Sequence, residues 1–350
     1  MDEIKCLDDV KEYQRHKCRR NAFMISGSAV GLVAVFFVML TVGNYDLSVG
    51  EVFGILFGSI SDDTGEYVLK DVRIPRLLCA ILVGAALSTS GLSMQSLFKN
   101  PMASPSVLGI SSGAAFGAAL AMAFGAGSVL GSFAIPGMAF LFCFITMGAV
   151  YMIARTKYGL ASVTLLLAGI AMGAFFSGLV SLMQYIVRDD VLASIVYWTM
   201  GSFNNCGWTS FRLAVIPIIA GILIFLFSTR ELNIVSAGED QASNMGVNVK
   251  RLRIVIIVAT SLAVGGSVAI SGVIGFVGLI VPHIFRMIVG PNHAVLMPIC
   301  VFGGGIFMVV MDTVAKSAFD IILPVGVLTS LIGAPFFIYI MRARKKELWG

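Results

Sequence analysis

Charge is scarce in this chain of 350 residues. Asp, Glu, Lys and Arg make up 12% of it, and hydrophobic residues 58%. A soluble domain carries about twice that charged fraction, so a water-soluble globule is excluded. Mean hydropathy is +0.94. Several stretches of roughly 18–25 residues hold no charge, long enough to cross about 30 Å of hydrocarbon. The chain reads as a polytopic membrane protein.

Other absences narrow the chemistry. No Gly-Lys dipeptide occurs, so there is no Walker A phosphate loop and no ATPase by that route. Six cysteines are scattered without a CxxC pair, which indicates neither a disulfide framework nor a zinc site. The histidines, His16, His283 and His293, suit structural roles better than metal ligation. No cofactor motif is present. Carboxylates are nearly missing from the apolar runs. The exception is Asp312, followed at i+4 by Lys316, the favourable order for a helical ion pair. A proton- or sodium-coupled carrier needs a buried titratable relay, and one paired Asp is poor material for it. An ion-coupled secondary transporter therefore stands as the alternative reading, and a non-transporting scaffold or receptor as another.

What is present is a series of apolar runs. They predict an all-α integral membrane protein of about ten spans, at 22–43, 74–98, 106–126, 132–154, 161–187, 211–229, 252–271, 274–288, 294–315 and 323–342. The first run is too long for the apolar core of a signal peptide and reads as a retained span. Residues 1–21 and 343–350 form tails around a permease-like domain at 22–342. The run 274–288 is short and holds Gly275 and Gly278, the pattern of a broken span lining a pathway. Residues 191–208 are too short and polar to cross, and suit an interfacial helix with Trp198 and Trp208 at headgroup level.

Cations set the sidedness. With both tails in the cytoplasm, Lys70, Arg73, Arg76, Arg188, Arg212 and Lys316 fall outside, and the rest of the 24 Lys and Arg fall inside. The net charge of +5 thus reflects the cytoplasmic ends, next to membrane lipid, and gives no reason to expect nucleic acid. Arg73 and Arg76 sit at the outer mouth of the second span against the rule. Snorkelling or pairing with Asp71 would explain them. So would a dock for an acidic external partner, since Arg suits bidentate carboxylate recognition.

An internal repeat appears at an offset of 181 residues. Val83/Val264, Gly84/Gly265, Ser90/Ser271, Gly91/Gly272, Pro101/Pro282 and Gly109/Gly290 are identical pairs. They are mostly Gly, Ser and Pro, which decide backbone shape. The second and seventh spans run in opposite directions, so the repeat is inverted, a design of alternating-access transporters. The most informative polar segment is the inner loop 230–253, where Gly238 and Gly246 would bound a short helix carrying Glu239 and Asp240, followed by Met245 and Val247 and a basic exit. It reads either as a solvated connection or as a docking helix for a cytoplasmic motor.

An ordered series of motifs then points to a family. They are "RIPR" at 73–76, "SGLSMQSLFKNPMASPSVLGISSGA" at 90–114, "LLLAGIAMG" at 165–173, "WTMGSF" at 198–203 and "GEDQASNMGVNVKRLR" at 238–253. "GVIGFVGLIVPHIFRMIVGPNHAVLMP" at 272–298 and "LPVGVLTSLIGAPFFI" at 323–338 complete it. Over roughly 45–342 the chain resembles the FecCD-type permeases, membrane subunits of ATP-driven importers for ferric siderophores, haem and cobalamin. The resemblance implies a cobalamin-importer-permease-like fold of ten helices. It also implies a second permease subunit, as a homodimer, two cytoplasmic ABC ATPase subunits and an extracytoplasmic substrate-binding protein.

It implies roles as well. Arg73, Arg76 and Lys316 match the family's binding-protein dock. Gly238, Glu239, Asp240, Ala242, Met245, Gly246 and Val247 match its ATPase-coupling helix, and Ala161–Ser162 its inner gate. Ser90, Gly91, Asn100, Pro101, Pro105, Gly109, Gly272, Gly275, Gly278, Pro282, His283 and Arg286 match its structural motifs. Two positions depart from the pattern: Lys316 stands where members often have Arg, and Ile322 where they often have an acid, with Asp320 two places away.

Overall fold

The structure is a computed structural model that describes residues 7–43, 45, 47–59, 62–125, 131–156, 159–160, 162–317 and 321–343. Its helices are α1 (Leu7–Thr41), α2 (Val49–Leu56), α3 (Asp63–Tyr67), α4 (Ile74–Leu97), α5 (Ile110–Ala123), α6 (Ala134–Ala154) and α7 (Ser162–Ile186). They continue with α8 (Asp189–Thr199), α9 (Trp208–Phe227), α10 (Thr229–Ala237), α11 (Glu239–Asn244), α12 (Val249–Ser271), α13 (Val277–Val289), α14 (His293–Ser317) and α15 (Val325–Ala343). A π-helical turn, Val68–Arg73, joins α3 to α4 without a break. Between α6 and α7, β1 (Arg155–Thr156) and β2 (Gly159–Leu160) pair antiparallel.

Among the described residues, seven helices are long and apolar enough to cross a membrane, and α5, α13 and α15 are shorter apolar helices. Together these are the ten spans the sequence predicts. The limits differ where local chemistry intervenes. The first helix is already formed at Leu7, well before residue 22. The third span is shorter than 106–126 because Gly109, at φ 73°, separates a 3₁₀ turn (Pro105–Leu108) from α5. The interfacial helix is confined to α8, ahead of an irregular stretch that reaches Trp208. Helices α2 and α3 and the π turn fill a segment the sequence left unassigned.

Helix α4 forms the axis of the bundle: its most apolar window is 83% buried, against 6% for α1. Small residues make this position possible, because they let neighbouring backbones approach in the absence of a hydrophobic drive between helices. A Cβ on Gly84 would overlap the Gly304 carbonyl of α14, and one on Gly91 the Gly278 carbonyl of α13. Hydroxyls on the axis bond back to their own helix: Thr89 to Ala85 O at 2.7 Å, Ser93 to Thr89 O at 2.9 Å and Ser96 to Leu92 O at 2.9 Å. In α12, Ser261, Ser267 and Ser271 do the same, so polar side chains enter the interior already satisfied.

The geometry agrees with an inverted repeat. Trp208 Nε1 donates to Lys70 O at 3.0 Å, and Ser202 N to Ser271 O at 2.8 Å. The loop before α9 therefore touches the start of α4 and the end of α12, which places these two helices antiparallel. As α4 packs on α14, so α12 packs on α6. Large apolar side chains such as Phe175, Tyr185, Ile216 and Phe227 point outward, as a lipid-facing surface requires.

Candidate functional site: two polar ends of the bundle

Polar side chains gather at opposite ends of α4. At the Arg76 end, the π turn and Pro75 set the register so that Arg73 and Arg76, three residues apart, both turn inward. They are 7% and 8% exposed. Arg73 donates to the carbonyls of Leu40, in the last turn of α1, and Tyr45. Arg76 lays its fork on Asp312 of α14, Nε–Oδ2 2.8 Å and Nη2–Oδ1 2.7 Å. Lys316 Nζ stands 3.5 Å from the same Asp312 Oδ2, its side chain 24% exposed. The i,i+4 pair read from the sequence is thus present, but Arg76 holds both oxygens of the carboxylate. A cation in the first turn of α4 and an anion near the end of α14 each oppose their own helix dipole. Antiparallel packing lets them offset each other. Asp71 is exposed and Arg76 pairs elsewhere.

At the opposite, His293 end, α10 and α11 lie across the termini of α4 and α12. Leu232, Val235 and Ala242 are fully buried, in one cluster with Leu92, Leu97 and Leu252. Gly238 ends α10 and opens α11, and Gly246, at φ 81°, turns the chain toward α12. Glu239 is tied to Arg253 in the first turns of α12. Asp240 and Gly246 face outward with Met245, which is 68% exposed, while Val247 is half-buried. The loop is therefore an anchored helix with an exposed polar and apolar face.

Beside it runs a hydrogen-bonded network that sequence reasoning missed. Arg286 Nη2 donates to Gln95 Oε1 at 2.7 Å, and Gln95 Nε2 to Gly278 O at 3.1 Å. Ser96 Oγ meets His293 Nε2. His293 donates to Asn233 Oδ1 from its backbone N at 2.9 Å and from Nδ1 at 2.8 Å. Asn233 Nδ2 donates to Asn292 Oδ1 at 3.0 Å. A polar residue of α10 spaced to face a Gln-Ser step at the end of a buried helix was the available signal, but the pairing spans 60 residues.

The remaining motif residues are structural in placement. Asn100 Oδ1 accepts from Met102 N at 2.9 Å across Pro101, and Pro105 opens its 3₁₀ turn. The Ser90 hydroxyl is buried with no hydrogen-bond partner among the described residues. Gly272 and Gly275 bracket the irregular stretch between α12 and α13, where Phe276 takes φ 65°. Pro282 and His283 are buried inside α13. Ala161 lies outside the described residues, as do Asp320 and the side chain of Ser162.

An all-helical membrane bundle of inverted halves, with a cationic pocket at one end and an anchored surface helix at the other, defines an integral membrane transport subunit. The FecCD transport family matches residues 31–343, and the chain belongs to that family. The molybdate import system permease of Haemophilus influenzae is 38% identical over 319 residues, covering 90% of this chain and 94% of that one. The hemin transport system permease of Yersinia pestis is 33% identical over 325 residues, covering 92% and 97%. The vitamin B12 import system permease of Citrobacter koseri is 34% identical over 341 residues, covering 96% and 98%. A solved structure described as an inward-facing metal-chelate type ABC transporter superposes with TM-score 0.81 at 36% identity, covering 91% of this chain and 98% of that one. The chain is thus the membrane permease subunit of an ABC importer, a transport subunit of the multi-pass membrane class.

Proposed function

We propose that this subunit carries a bulky metal chelate, a ferric siderophore ahead of haem or cobalamin, through a path between two copies of itself. The exposed helix α11, pinned by Ala242 in the core and by Glu239 on Arg253, is the observation that carries the reading. It presents Met245 and Asp240 as a knob for an ATPase cleft, while the cations gather at the far end of α4. Both tails then lie in the cytoplasm of a cell membrane, with the Arg76 end outside. Relatives named for hemin, vitamin B12 and molybdate support an oxyanion or chelate cargo. The walls of the path come from α4, α7 and α13, and Ala161–Ser162 close its inner mouth.

A substrate-binding protein docks its carboxylates at the Arg76 end. Lys316 is the member of the cationic set most open to solvent. Arg76 is engaged by Asp312, so an incoming carboxylate meets Lys316 first and competes with Asp312 for the fork. The ion-coupled alternative draws no support, because Asp312 is already held by two cations.

Affinity purification of the permease with its neighbours tests this. Met245→Arg on α11 is expected to strip the ATPase subunits from the complex while leaving the helical bundle folded. Lys316→Glu is expected to weaken capture of the binding protein. Retention of the ATPase by the Met245 variant overturns the reading of α11, and unchanged capture by the Lys316 variant overturns the dock.

A further inference from the structure

Helices α4 and α14 are fastened along their length. Arg76 grips Asp312 at one end, Ser88 bonds the Cys300 carbonyl in the middle, and Ser96 meets His293 at the other end. Twenty-four residues of α4 span about 36 Å at 1.5 Å per residue. A displacement applied near His293 is thereby carried to Arg76 by a pair of helices that move as one.

Asn233 is placed to apply it. It lies on α10, which runs into α11 across the single residue Gly238. Its orientation is fixed by chemistry. The backbone N–H of His293 must have an acceptor, so the Asn233 atom facing it is Oδ1. The ring nitrogen facing that oxygen is therefore a donor, and Nδ1 carries the proton. Nε2 is left as an acceptor for the Ser96 hydroxyl, whose single proton is shared between that nitrogen and Leu92 O. The remaining amide donates to Asn292. His293 is 3% exposed, so water does not replace its own bonds when they break, although the Asn233–Asn292 bond is exposed. Ser96 has a second acceptor in Leu92 O and Asn292 a second donor in Ala294 N, so the tight joint of the link is His293, held between Asn233 and Ser96.

We propose that Asn233 is the positioning residue through which motion of α11 is transmitted sideways to α14 and α4, and so to the opposite face of the membrane. This rests on the reading of α11 as the ATPase contact. Transmission through the peptide chain alone would pass from α11 into α12. The Asn233 link adds a second route, into the helices that carry the cationic pocket.

The test uses the full complex with its ATPases, and compares amide hydrogen exchange in the nucleotide-free state with that trapped by ATP and vanadate. In the native complex, residues 239–246, 92–98 and 293–300 are expected to change exchange rate together, by about threefold or more. In Asn233→Leu the change at 239–246 persists and those at 92–98 and 293–300 disappear. Asn233→Asp keeps the acceptor for His293 and restores them, a rescue that a general loss of stability would not show. Where the Leu variant does not assemble, Asn233→Ala serves: it removes the amide and with it the responses at 92–98 and 293–300 together. Native helices α4 and α14 that do not respond to trapping overturn the proposal, as does an Asn233→Leu complex that responds like the native one. No response at 239–246 in the native complex overturns the reading of α11 instead.

Discussion

Asp312 is 1% exposed and bears a charge. Removing a charge of this kind from the interior of a bundle is costly only if its partner stays behind. Asp312→Ala leaves the Arg76 guanidinium buried opposite Lys316 with no carboxylate between them. Breaking a buried pair in that way costs about 3–5 kcal/mol. The Arg76→Met, Asp312→Leu double variant is expected to recover the part due to Arg76, because apolar side chains of similar volume need no compensation, while Lys316 still lacks its carboxylate. Thermal unfolding in detergent of the three proteins measures this. A double variant no more stable than Asp312→Ala would show that the pair contributes through geometry the apolar side chains cannot supply.

At the scale of the element, the crossing of α4 and α14 depends on two missing side chains. Gly84→Ala drives a methyl into the Gly304 carbonyl, and Gly304→Ala drives one into Gly84. Overpacking of a tight interior costs about 1–3 kcal/mol. Each variant is expected to melt earlier than the native protein, and the two together to cost less than their sum, since one separation of the helices relieves both. Additive losses in the same unfolding experiment would place the two glycines in separate contacts. The ten apolar helices were legible in the sequence because length and hydropathy decide them locally. The break after Ser271 was legible in the short run 274–288 with its Gly275 and Gly278, although Gly278 lies inside α13 and not in the break itself. Arg73 and Arg76 were legible as cations but not as buried ones. Arg76 is turned inward by Asp312, 236 residues away, and a distant partner leaves no mark on local pattern. Helices α2 and α3 escaped notice because they are short, mixed in character and lie between spans. His293 read as a bland structural histidine, since its importance lies in Asn233 and Ser96 on other elements.

For the whole molecule, the sequence lacks a Walker A loop, and the exposed helix α11 is the surface proposed for an ATPase. Purified alone and reconstituted in vesicles, the chain is expected to accumulate no ⁵⁵Fe-labelled ferric siderophore, haem or cobalamin under a proton or sodium gradient. Adding its ATPase and binding protein with ATP starts uptake of one of these. Uphill accumulation by the isolated chain would contradict the assembly described here. The contact of Gly91 with Gly278 bears on how such an assembly works. Bare backbone meets bare backbone there, and beside it the Gln95 side chain of α4 ties the two helices through Gly278 O and Arg286 of α13. Interlocked knobs would make the two helices shift in jumps of a whole turn. Bare backbone at this depth, tethered by one amide, would let the broken span roll against the axis by fractions of an ångström until the Gln95 bonds draw tight.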